Sequence, residues 1–189
     1  MVERVLKSDL FKNYFSYLNF REKGLNKQSK DCMKDFIRDL KGMNKSDRQF
    51  FIDWVYRQAF EKDNYGSFLP WNLVHEIIKP ELNNWMKEEP ENVIPYIWSF
   101  DSVLLKKALE LQPQNQIAIE LLAKRVMGII SMNQHELNSG FGYNGDPEDD
   151  LKWIDFLWNY VYNLKDELKK EKITKNLQTL QIEALKYIE

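Results

Sequence analysis

The sequence predicts an all-α fold: an irregular domain of about seven to nine helices, paired as helix hairpins and not arranged as a tandem repeat array. Three observations predict it. Apolar residues recur at helical three-and-four spacing through most of the chain. Only seven glycines and six prolines occur, mostly between those periodic segments, where helix punctuation belongs. Alternating β-branched runs are absent. At 189 residues the chain suits one helical domain over 1–189, able to bury roughly 70% of its unfolded surface.

The first helix is expected over about Asp9 to Glu22, with Leu10, Tyr14, Tyr17 and Leu18 on one stripe and Gly24 as a left-handed C-cap. The second, Ser29 to Lys41, carries Met33, Phe36, Ile37 and Leu40 and stops before Gly42. Ser46 and Gln49 form a capping-box pattern, so a third helix starts there and buries Phe50, Phe51, Trp54, Val55 and Ala59 until the Asp63 to Ser67 stretch, with Gly66, closes it. Pro70 can occupy a first helical turn. Pro80, which lacks an N–H, is expected to break the helix that follows, giving two short helices, a loop near Pro90 and another short piece over Asn92 to Phe100.

Asp101 or Ser102 caps a helix that Pro113 stops, and the next begins near Asn115. Its apolar residues, among them Ile117, Ile119, Leu121, Leu122, Val126, Ile129 and Ile130, occupy more than one face, which predicts a central helix. Asp146-Pro147-Glu148-Asp149 reads as an N-cap, a first-turn proline and two acids at the positive end of a helix dipole. The helix it opens, through Trp153, Trp158 and Leu164, is expected to be a second central helix packed on the first. A Lys-rich solvated junction then leads to a last helix, Thr174 to Ile188, docked by Leu177, Leu180, Ala184 and Tyr187.

Composition excludes several function classes. With 27 basic and 29 acidic residues intermixed, nothing favours a nucleic-acid backbone as partner. No apolar stretch approaches the roughly 20 residues needed to span a bilayer, so no membrane partner is expected. Glu3, Arg4, Lys7 and Asp9 interrupt any signal-peptide core. Cys32 is the single cysteine, which fits a reducing compartment, and the expectation is a cytoplasmic protein.

The chemistry-bearing residues are few. His75-Glu76 and His135-Glu136 invite a metal reading, but a helical zinc pair needs a second histidine four residues on, where Lys79 and Ser139 stand. Asn144 to Asp150 alternates oxygen side chains like a calcium loop, but such a loop needs a mid-loop glycine and a bidentate glutamate at its twelfth position. Here Pro147 and an immediate helix start intervene, and helix capping accounts for its acids. Ser139-Gly140-Phe141-Gly142-Tyr143 precedes a helix as anion loops do, but the acids at that helix start repel phosphate. No nucleophile has a partner spacing and no phosphate-cradling glycine motif occurs, so no catalytic residue, metal site or cofactor is expected.

Six tryptophans and nine tyrosines remain. Trp54, Trp153 and Trp158 lie in periodic segments and are expected in the core. Trp71, Trp85 and Trp98 lie where four prolines cut the chain between Tyr65 and Phe100, alongside Phe68 and Tyr96. They are either core-edge residues or a surface for another protein or a second copy of the chain.

Ala108 to Asn115, with Leu122 and Ala123, resembles a junction between tetratricopeptide repeats, a match that ends at Val126. The C-terminal half, from Pro95-Tyr96-Ile97-Trp98 through His135-Glu136-Leu137 to Tyr143–Leu151, resembles a set of uncharacterised small helical bacterial proteins. Some proteins of that kind resemble immunity proteins that neutralise a toxin. The resemblance implies a bacterial protein-binding module, possessing no assigned ligand. The alternative is an enzyme or metal-binding protein using His75 and His135 with nearby carboxylates.

Overall fold

The computed structural model describes residues 11–135 and 142–188. Asp9 and Leu10 of the first expected helix, Glu136 beside His135, and Ser139-Gly140-Phe141 of the glycine-rich stretch lie outside the described residues. Among the described residues there are ten helices and no strand. The chain divides into two compact units, Met1–Pro90 and Glu91–Glu189.

In the N-terminal unit α1 (Lys12–Glu22) packs along α2 (Asn26–Gly42). Gly24 joins them at φ +72°, with its N–H donating to Arg21 O at 3.0 Å and Leu25 N–H donating to Phe20 O at 2.8 Å. That pair of bonds is a Schellman closure, and its left-handed residue carries no Cβ penalty because it is glycine. Helix α3 (Lys45–Glu61) starts two residues ahead of the expected Ser46 box. Asn44, extended at ψ 163°, accepts from Asp47 N–H at 2.9 Å, and its amide donates to the Asp47 carboxylate at 2.8 Å. Ser46 is already inside the first turn, and Gln49 Nε2 is left buried without a partner. The helix closes at Asp63, φ +46°, with Asn64 N–H donating to Ala59 O at 3.0 Å. Asp tolerates the left-handed region through its short polar side chain, so Gly66 is not needed there and falls inside α4 (Tyr65–Phe68).

Aromatic rings build this unit's core. Tyr14 is fully buried, its ring centroid 5.1 Å from Phe36, 5.0 Å from Phe51 and 5.9 Å from Trp54. A buried phenol needs an acceptor, and α4 supplies it. Tyr14 donates to Phe68 O at 2.7 Å and Tyr17 to Ser67 O at 2.8 Å, which straps the short helix to α1.

Pro80 does not break the next helix. Trp71–Leu73, Val74–Ile78 and Lys79–Glu88 run on as one helical stretch, α5, whose middle segment is a π-helix. Lys79 N–H donates to Val74 O, five residues back. A proline in a regular α-helix drives its ring into the carbonyl four residues earlier, and widening the preceding turn relieves that contact. The continuous helix buries Leu73, Ile77, Ile78, Leu82 and Trp85, and buried Glu81 receives Arg48 Nε from α3 at 2.8 Å.

The C-terminal unit comprises α6 (Val93–Ile97), α7 (Ser102–Leu111), α8 (Gln116–Asn133), α9 (Pro147–Val161) and α10 (Glu167–Leu185). Asn92, Asp101, Asn115, Asp146 and Asp166 cap them, each side chain accepting at least one first-turn N–H. Helix α8 touches all four of the others, as its all-round apolar character predicts.

Two expectations need correction here. Helix α9 packs on α8, but it buries only Asp150, Ile154, Leu157 and Val161, a single stripe at helical spacing, while Trp153 and Trp158 are half-buried. Indole N–H groups and large rings flank a stripe as readily as they fill a core. Helix α10 starts at Glu167, capped by Asp166, not near Thr174. Its Lys-rich turns are an exposed helical face, and Lys169 reaches Glu120 on α8 at 2.7 Å.

Candidate functional site

Pro70 is the residue preceding α5, and it sets Trp71 in the first turn with His75 one turn on along the same face. The indole is 73% exposed and stacks on the His75 ring, centroids 4.4 Å apart and planes inclined by 30°. His75 itself is exposed and lies within the π-helical turn that Pro80 imposes. Beside it, Glu76 holds Lys41 of α2 at 2.9 Å. The result is a large flat ring held outward by its neighbour.

The other two tryptophans of that trio take the core-edge alternative. Trp85 is 5% exposed and donates its indole N–H to Glu89 at 2.9 Å, and Trp98 is 1% exposed. Phe68 and Tyr96 are buried as well. Once Pro80 is absorbed into one long helix, Trp85 gains a full apolar stripe. Short α6 buries Val93, Pro95, Tyr96 and Ile97 almost all round. Of Trp71, Trp85 and Trp98, Trp71 alone faces outward.

His75 and His135 belong to separate units, and both are exposed. Among the described residues no group of three or more His, Cys, Asp or Glu side chains is placed to hold a metal ion. The Cys32 thiol is pushed up, first by burial and then by Asp35 and Asp31, which disfavours the reactive thiolate.

Two further places were not foreseen. The N-terminal unit carries a groove of about 620 Å³ whose lining includes Phe15, Trp54, Phe68, Arg21, Glu22 and Lys62. Arg21 donates to the Tyr17 hydroxyl at 3.1 Å with its guanidinium 5.9 Å from that ring's centroid, and the Lys62 ammonium stands 5.2 Å from the centroid of Phe68. Burial pushes the Tyr17 phenol up and Arg21 partly offsets it. The i, i+4 spacing of Tyr17 and Arg21 was readable, but the approach of Lys62 depends on the Asp63 turn.

In the C-terminal unit Asp150 is buried at 6% exposure and accepts from Tyr143 at 2.6 Å and from Asn133 at 2.9 Å. Gln134 donates to the Tyr143 hydroxyl at 3.3 Å and to Leu180 O at 2.9 Å, so one polar cluster joins the end of α8, the start of α9 and α10. Burial, then the bond to Asp150, pushes the Tyr143 phenol up to about 12. Gly145, φ +137°, passes so close to Asn133 that a Cβ there would lie 2.9 Å from its amide nitrogen. Asp146 caps α9, as the sequence implies, whereas Asp150 ties the loop to the unit.

No family model, curated protein or solved structure matches the chain. The fold and these three places are therefore the basis for a functional reading. No described helix is long and apolar enough to cross a membrane.

Proposed function

We propose that the protein is a protein-binding module whose contact surface is centred on Trp71. The observation that carries this reading is the outward indole, 73% exposed and stacked on His75. Leaving such a ring in water forgoes about 1.5–3 kcal/mol of burial that folding elsewhere in the chain collects. Tryptophan is also the residue type most enriched at interface hot spots, and a ring already held in place loses little freedom on docking. The resemblance to immunity proteins makes a bacterial toxin the first partner to test.

The test is capture of partners from bacterial cells by the wild-type protein and by Trp71→Ala, with co-expression rescue of growth where the partner is toxic. A partner bound by the wild type and weakened roughly 30-fold by Trp71→Ala, at unchanged melting temperature, supports the reading. Equal capture by both proteins removes it.

A further inference from the structure

The groove on the N-terminal unit has an unusual charge arrangement. Arg21 and Lys62 both line it, and neither is paired with a carboxylate among the described residues. Each instead rests over an aromatic ring, Arg21 over Tyr17 and Lys62 over Phe68. The same lining includes Phe15 and Trp54, whose rings meet edge to face at 5.7 Å. Glu22 is the one carboxylate in the lining. Surface cations normally carry a counter-charge from solvent or a neighbouring acid, so two without one beside an apolar wall form a complementary place for an anion.

We propose that this groove binds a small organic anion with a flat apolar body, of the aryl carboxylate class. The ring of such a ligand packs against Phe15 and Trp54, and its carboxylate is met by Arg21 and Lys62. Arginine suits this because its planar fork matches a carboxylate's two oxygens, while lysine adds a mobile point charge. The volume of about 620 Å³ lies within the range of small-molecule sites. No lining residue is shared with the Trp71 surface, so the two readings fail independently.

Isothermal titration of the whole protein with 1-naphthoate and with uncharged 1-naphthamide tests it. Naphthoate is expected to bind saturably at a single site, with naphthamide and the Arg21→Gln, Lys62→Gln double variant each weaker by about tenfold, as two partly screened charges imply. Arg21→Lys with Lys62→Arg, which keeps both charges, is expected to retain binding. Absence of saturable naphthoate binding in the millimolar range, equal binding of naphthamide, or full binding by the uncharged double variant overturns the proposal. If that variant melts lower than the wild type, the naphthoate and naphthamide comparison on the wild-type protein decides.

Discussion

Asp150→Ala should be among the most damaging substitutions of an acidic residue in this chain. The carboxylate is 6% exposed and accepts from Tyr143 at 2.6 Å and from Asn133 at 2.9 Å, both on the same oxygen. Hydrogen bonds to a charged group contribute roughly 1.5–3 kcal/mol each, and two that share an oxygen add to less than their sum. Loss of a negative charge from the first turn of α9 costs about 0.3–1 kcal/mol more. The expected destabilisation is therefore about 3 kcal/mol, which for a chain of this size lowers Tm by roughly 6–12 °C. Thermal melts of Asp150→Ala, Tyr143→Phe and the double variant form a cycle, with an expected coupling of about 1 kcal/mol or more. A Tm loss below about 2 °C, or zero coupling, would show that the cluster is a bystander.

The same cluster sets an alkaline dependence. Unfolded, the Tyr143 phenol titrates near its ordinary 10.0, and folded it titrates at about 12. The stability contributed by its neutral form is thus fully present below pH 10 and is lost as pH rises through about 12. Tyr143→Phe should flatten that part of the stability profile relative to wild type, and an unchanged slope would assign it to other groups. Pro80→Ala restores the missing N–H and lets the π-turn tighten. It should raise stability by about 1 kcal/mol or more in a melt, and a fall in Tm would mean that packing favours the π-turn for its own sake.

The caps were the most legible feature, because each depends on a residue acting within its own turn. Gly24, Asp101, Asn115 and Asp146 all act where local chemistry places them. The Ser46 box failed through a competing choice two residues away. Asn44 could also cap, and the extended Met43 beside it fixed the start of the helix. Pro80 reads as a helix breaker in the sequence because no local pattern encodes the π-turn that relieves its clash, and the continuous helix that results gives Trp85 a buried, core-packing place. For Trp98 the sequence leaves core-edge packing and exposure open, and its burial beside α6, itself buried almost all round, takes the first. The Trp71–His75 stack follows i, i+4 spacing and was in principle readable. The Asp150 cluster and the groove were not, since each joins residues from several helices whose docking no local pattern encodes.

The reading of this protein as a binding module turns on Trp71, and its most direct test compares two exposed apolar residues. Trp71 is 73% exposed and Leu168, on α10, is 80% exposed. Quantitative capture of partners from bacterial cells by wild type, Trp71→Ala and Leu168→Ala holds loss of exposed apolar surface in common and varies its location. The account predicts a partner that binds wild type and Leu168→Ala alike and is weakened roughly 30-fold by Trp71→Ala, with all three proteins melting together. Equal binding by Trp71→Ala, or equal loss in both variants, would contradict it.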